Sequence, residues 1–266
     1  MRARGFTLVE LVIVIVITGV LAGALTIFFV PAVNSYFDTR RRADLTDLAD
    51  TALRRMAKDI RSAVPNSVRS VSASCIQMVP TIAGGRYRLA PDTVAGTSKH
   101  IDTRTATSDF DVLTPLSQIP GSGDWVVINN QNGDDVYAGS NSKPVSTVTT
   151  PATGQHRITL SASQQFPVGY DGGRFVVVPN AEQTVFYNCV GSTLYRTTAA
   201  FGANQAATCA LTTGAVVTTD VAGCTFVYNP NQGATQQSGF VWIRLQLSRS
   251  GESIALAHGV HVDNVP

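Results

Sequence analysis

The chain has 266 residues, with 20 basic and 18 acidic side chains and a formal charge of +2. That length holds one sizeable core, or one long element plus one domain, and the near balance of charge leaves no basic stripe for nucleic acid. Lysine occurs only as Lys58, Lys99 and Lys143, and the chain after Pro65 is rich in Ser, Thr, Asn, Gln and Gly; such a composition favours strands and turns over helices.

After Met1-Arg2-Ala3-Arg4-Gly5, residues Phe6 to Val30 carry a single charge, Glu10. As a helix this stretch is about 38 Å long, enough to cross a hydrocarbon core of about 30 Å with tilt. Its apolar residues surround the whole helix, whereas a helix on a soluble core shows one apolar stripe. Glu10 is the anomaly, because a carboxylate in the bilayer costs about 2.5–3.5 kcal/mol and calls for a partner. Arg2 and Arg4 are the nearest cations in the chain. A cut after Gly5 creates another, the amine of Phe6, at the membrane depth of a neighbouring subunit's Glu10, and that pair would set the axial register between subunits.

Gly5-Phe6-Thr7-Leu8-Val9-Glu10, between a short basic leader and an apolar run, resembles the class III signal of type IV prepilins and of type II secretion pseudopilins. The resemblance implies cleavage between Gly5 and Phe6 by a prepilin peptidase, N-methylation of Phe6, and docking of subunits through Glu10. It also implies other major and minor pilins and an inner-membrane assembly platform as partners. Many relatives place a proline about one turn before Pro31, so the position of any kink here is open. An ordinary secretory signal is the competing reading, since Ala22-Gly23-Ala24 has the small-x-small form, but the apolar run Leu25 to Val30 follows where a cleavage region is polar.

Arg40, Arg41 and Arg42 beyond the span oppose the N-terminal arginines in a simple count of basic residues. The leader motif and the cysteines instead place residues 65–266 in the periplasm. Removing the leader brings the formal charge to about zero.

Beyond Pro31 the pattern turns amphipathic. Leu45, Leu48, Ala52, Leu53, Met56 and Ile60 recur at spacings of three and four, with Arg54, Arg55, Lys58, Asp59 and Arg61 on the other face. The stripe predicts packing on the chain's own sheet, with Pro65 ending the helix. A continuous helix from Phe6 to Val64 would be on the order of 90 Å long, too long to be buried in its own domain.

Short strands are predicted at 68–71, 75–79, 125–128, 156–160, 174–178, 183–188 and 194–197. A hairpin follows, 240–248 and 253–262 around Arg249-Ser250-Gly251-Glu252. Asn132-Gly133 and Asp171-Gly172-Gly173 read as turns, and residues 91–123 as a surface insertion. The expected fold is α+β and pilin-like: a leader (1–5), a transmembrane helix (6–30), its amphipathic continuation (31–64) and a β-rich periplasmic domain (65–266) in which the helix packs on an antiparallel sheet with long loops. The helix text from Ala52 to Arg61 is similar to that of large minor pilins and the J-type pseudopilin. Cys189-Val190-Gly191-Ser192 and the ending from His258 to Pro266 resemble the O-type minor pilin of the mannose-sensitive haemagglutinin pilus system.

Cys75, Cys189, Cys209 and Cys224 are even in number and contain no C-x-x-C pair, which favours disulfides over a zinc site. Three connectivities are possible; Cys209–Cys224 and Cys75–Cys189 are the expected pair. Asn130, Asn132, Asp134 and Asp135 could surround a calcium ion but lack the EF-hand spacing, and a hairpin turn is the better reading. His258 and His261 fall on opposite faces of a strand, unsuited to one metal. No G-x-S-x-G elbow or dinucleotide loop occurs, and neither an enzyme activity nor a cofactor is expected. The functions left are a minor pilin that primes or caps a pilus, a J-type pseudopilin in a secretion tip complex, and a tip adhesin using loops 91–123 and 129–155.

Overall fold

The computed structural model describes residues 5–94, 96–169, 172–230 and 238–264. One helix, α1 (Leu8–Arg61), runs unbroken for 54 residues with Pro31 inside it. Pro31 has no N–H for an intrahelical hydrogen bond, yet the helix continues through it. At its C-terminal end the N–H of Ser62 bonds to the carbonyls of Lys58 and Ile60, and Lys58 and Arg61 sit at the negative end of the helix dipole.

The strands follow as β1 (Arg69–Ser72), β2 (Cys75–Met78), β3 (Ala83–Arg86), β4 (Thr107–Val112) and β5 (Trp125–Ile128). A short helix, α2 (Asp135–Ala138), precedes β6 (Ser142–Thr149), β7 (His156–Gln164), β8 (Arg174–Val178), β9 (Thr184–Val190) and β10 (Thr193–Ala199). Then come α3 (Gln205–Cys209), β11 (Ala215–Thr218), β12 (Val221–Asn229), β13 (Ser238–Arg249) and β14 (Glu252–Asp263). They form three antiparallel sheets, ordered β1-β2-β9-β10-β11, β12-β13-β14 and β3-β8-β5-β6-β7-β4.

The first two sheets and the C-terminal half of α1 share one core. Leu45, Ala49, Ala52, Leu53, Met56, Ala57 and Ile60 are buried against Tyr187, Leu194, Ile243, Leu245 and Val260. The three alanines let the sheet approach the helix backbone. Leu48 was expected in this stripe but is 37 % exposed; Ala49, one residue on, occupies the buried arc. Asp59 of α1 accepts hydrogen bonds from the Tyr187 hydroxyl (2.8 Å) and Arg196 Nε (2.9 Å), and Arg196 also forms a bidentate pair with Glu182. This network ties the helix to β9 and β10.

The third sheet encloses a second core around Phe110, Val112, Ile128, Ile158 and Phe175. Its strand β4 lies within residues 91–123, the segment expected to be a surface insertion. The alternation was hidden because Phe110, Asp111 and Val112 are all buried. Asp111 points away from the apolar side and is held by Arg157 (2.7 Å), Thr153 (2.5 Å) and the N–H of Lys99 (3.0 Å). A smaller cluster of Val64, Val79, Val127, Val136 and Val178 joins the two cores.

Most predicted strands are present to within a few residues, while β3, β6, β11 and β12 had no clear pattern. In the hairpin, Arg249 pairs with Glu252 and the two loop residues Ser250 and Gly251 both have positive φ, 50° and 84°, the geometry of a type I′ turn. The Asn132-Gly133 turn is replaced by a longer connection through α2, in which Asp135 accepts from the N–H and side chain of Asn132. Of the Asp171-Gly172-Gly173 turn, Asp171 lies outside the described residues; Gly172 and Gly173 have φ of 130° and 56°.

Both expected disulfide pairings are corrected. The bridges are Cys75–Cys209 and Cys189–Cys224. Cys75 stands opposite Asn188 in the β2–β9 ladder, so it shares a face with Asn188 while Cys189 points to the other. Asn188 Nδ2 donates to the carbonyls of Cys209 and Leu211, which puts α3 on the side of Cys75. Cys189 and Cys224 pack together on the side of the helix core.

Candidate assembly site at the start of the long helix

The Gly5–Phe6 peptide lies outside α1. Thr7 is the N-cap, in extended conformation, and the helix begins at Leu8. No heavy atom lies within 4 Å of where a Gly5 side chain would begin, and Phe6 is 81 % exposed. The peptide bond expected to be cut is therefore reachable and not locked in helical hydrogen bonds.

Glu10 closes a capping box with Thr7. The Thr7 Oγ1 accepts from the Glu10 N–H at 3.3 Å, while Glu10 Oε2 accepts from the Thr7 N–H at 3.3 Å and from the Thr7 hydroxyl at 3.2 Å. Two N–H groups that the helix leaves unbonded are satisfied reciprocally, and the carboxylate sits at the positive end of the helix dipole. Thr7 was missed as a functional residue, although Thr-x-x-Glu before an apolar run is the sequence signal for this box. Arg2 and Arg4, the expected intrachain cations, lie outside the described residues.

The large apolar side chains of α1 from Leu8 to Phe37 are exposed. The helix is long and apolar enough to cross a membrane. Among the described residues, no part of the β-structure covers this half, which leaves a long apolar surface suited to lipid or to other helices.

The other candidates do not gather at one place. Asn130, Asn132, Asp134 and Asp135 each engage other parts of the protein: the exposed Asp134 pairs with Arg69 at 2.6 Å, Asn130 Oδ1 accepts from the Val136 N–H and Asn141, and Asp135 accepts from Asn132. His258 lines a groove on the helix side with Lys58 and Arg61, whereas His261 packs its ring on Phe240 on the outer face. Among the described residues, no group of three or more His, Cys, Asp or Glu side chains is placed to hold a metal ion.

Residues 1–26 match the family model described as the prokaryotic N-terminal methylation motif. No curated protein and no solved structure matches the chain. The chain thus carries a prokaryotic N-terminal methylation motif at the start of an exposed apolar helix, with Glu10 in the first turn.

Proposed function

We propose that this chain is a minor type IV pilin, a low-abundance subunit that primes assembly of a pilus or caps it. A prepilin peptidase cuts after Gly5, and Phe6 is N-methylated. Residues 6–30 hold the subunit in the inner membrane, residues 31–64 continue the helix, and residues 65–266 lie in the periplasm until the subunit joins the filament. The observation that carries this reading is the methylation-motif match over residues 1–26, on a helix whose apolar half is left uncovered by the described residues.

Assembly then follows from physical need. The cut removes the leader and leaves a cationic Phe6 amine at the helix start, beside the Glu10 carboxylate level of a neighbouring subunit. In the low dielectric between packed helices, that pair favours one axial register over others. The two disulfides fit an oxidising compartment. The size of the β-structure, with its second core in residues 83–177, suits a tip or initiating position better than a crowded shaft.

The test is the amount of sheared surface pilus, read by immunoblot of the major subunit, in cells lacking this chain. Loss of pili that the wild-type chain restores supports the minor pilin. Normal pili with a changed profile of secreted proteins would replace it with a secretion pseudopilin, and normal pili with lost attachment would replace it with a tip adhesin.

A further inference from the structure

Among the described residues, the free edge of β14 is the longest open strand edge: β14 ends its sheet, and no strand pairs with its other side. The other sheet-end strands are short or engaged. β1, β3 and β11 have four residues each, β4 exchanges backbone bonds with Arg88 and Lys99, and β12 donates to the carbonyls of Ala73 and Ser192. β14 runs for 12 residues in unbroken register, without the proline, lysine or bulge that close natural edges to other chains. Antiparallel ladders alternate bonded and non-bonded pairs, and the hairpin closes at the pair Arg249–Glu252. Ile254, Leu256, His258 and Val260 therefore bond to β13, while Ser253, Ala255, Ala257, Gly259 and His261 turn their N–H and C=O outward. Four of these five carry side chains too small to screen the edge.

The edge opens beside a basic groove. β14 runs along α1 in the same direction: Glu252 pairs with Arg42 at its start, and the Asn264 carbonyl accepts from Asn66 at 3.0 Å just beyond its end. Between these points Arg54, Ala57, Lys58, Arg61 and Ser62 face His258 across an open groove with no carboxylate in its lining. Arg54 bonds Asp50 at 2.6 Å yet keeps 76 % of its side chain exposed. Lys58 and Arg61 are exposed. An anion belongs there, and headgroups of a membrane around residues 6–30 are out of reach, because Lys58 lies about 42 Å along the helix from Val30.

A strand added to β14 would lie about 4.8 Å beyond it, with every second side chain on the helix side, over the groove. Those side chains recur about 6.8 Å apart, close to the rise of about 6 Å from Arg54 to Lys58. Carboxylates at alternate positions would meet the cations while the backbone extends the sheet. This chain has no such segment to offer: its only acids two residues apart are Asp109 and Asp111, which already lie in β4, with Asp111 fully buried.

We propose that β14 accepts an antiparallel strand from a different protein, an extended segment with Asp or Glu at alternate positions. Its carboxylates stand opposite Leu256, His258 and Val260 and enter the groove at Arg54, Lys58 and Arg61; the residues between them bond to the outward backbone groups of residues 253–261. The surface belongs to β14 and the distal half of α1, so it does not depend on a filament role for residues 6–30.

The test uses the full-length chain in detergent and short dye-labelled peptides, followed by fluorescence anisotropy. One peptide alternates glutamate with threonine, and one alternates lysine with threonine. A third is the glutamate peptide with its threonine nitrogens methylated, which removes the hydrogen bonds to β14 and keeps the charges. Only the first is expected to bind saturably below about 1 mM. Arg54→Glu with Lys58→Glu is expected to weaken it about tenfold. Ala257→Pro, which costs no bond to β13, is expected to abolish it; the methylated peptide probes the same bonds on the unaltered chain should that variant not fold. Equal binding of the methylated peptide overturns strand addition, and equal binding of the lysine peptide, or none of the glutamate peptide, overturns the acidic partner. Tighter binding of a peptide copying residues 252–263 would give the edge to a second copy and overturn the proposal too. None of these outcomes touches the pilin reading, which stands or falls by the amount of sheared pilus.

Discussion

Cys75 and Cys189 sit on adjacent strands of one sheet and face opposite ways, because Cys75 is paired with Asn188 and not with Cys189. One bridge therefore staples α3 onto the outer face of the sheet, and the other joins β9 to β12 on the helix side. Peptide mapping without reduction is expected to yield Cys75–Cys209 and Cys189–Cys224 fragments. The Cys189–Cys224 bridge closes a 35-residue separation. Replacing both its cysteines with serine is expected to cost roughly 4 kcal/mol in denaturant unfolding of the full chain in detergent. A Cys75–Cys189 peptide would contradict the β2–β9 register.

Thr7 and Glu10 separate two roles that one carboxylate performs. Glu10→Gln keeps an acceptor for the Thr7 N–H, so the capping box persists, but the charge is lost. Glu10→Ala loses both, and Thr7→Val loses only the hydroxyl's share, about 1 kcal/mol of helix-end stability. Both Glu10 variants are expected to be inserted and cleaved yet recovered in sheared filaments about tenfold less than wild type, with Thr7→Val much closer to wild type. Incorporation of Glu10→Gln at the wild-type level would show that the charge sets no register.

Gly5 is read through its surroundings as much as its motif. Its position is open, so Gly5→Ala meets no clash in this chain and is expected to leave the fold and membrane insertion unchanged. A bulky replacement such as Gly5→Leu is expected to block processing. The check is the shift in gel mobility on co-expression with a prepilin peptidase.

Arg196 is half-buried between two carboxylates, Asp59 on α1 and Glu182 before β9. Arg196→Ala leaves both without their cation and is expected to destabilise the chain by about 2 kcal/mol, less than for a fully buried pair because Glu182 is partly solvated. Tyr187→Phe, which removes one hydrogen bond to Asp59, is expected to cost about 1 kcal/mol. Because all of these groups share Asp59, the double variant should cost less than the sum. Additive losses in denaturant unfolding would mean that the network does not act as a unit.

Asp111 gives the second core an acid limit. Burial opposes its ionisation, but hydrogen bonds from Arg157, Thr153 and the Lys99 N–H together outweigh burial and hold the carboxyl below its ordinary value. Glu182 is held down as well, chiefly by its hydrogen bonds from Arg196. A carboxyl with a lowered folded pKa stabilises fully above the unfolded value, about 4, and that stability is lost as pH falls through the folded value. Thermal stability is expected to be flat from pH 7 to about 5 and to fall below about 4. Asp111→Asn should lower the plateau and soften the acid fall; an unchanged acid profile would remove Asp111 as its cause.

Elements whose physics is local were readable from the residues alone. The all-round apolar run with one acid, the spacing of Leu45, Leu53, Met56 and Ile60, and the alternation from Phe240 to Val262 each depend on neighbours a few residues away, so the helix, its buried face and the final hairpin were legible. The Thr7–Glu10 box was equally local, and the signal was present though unused. The remaining features depend on partners far apart in the chain. The disulfide pairing follows from the register of β2 on β9, where a shift of one residue reverses every side chain. Strand β4 was hidden by the buried charge of Asp111, which is tolerable only where Arg157 and Thr153 converge on it from β7 and the turn before it. Which face of the helix stays open follows from the sheets that cover the other side.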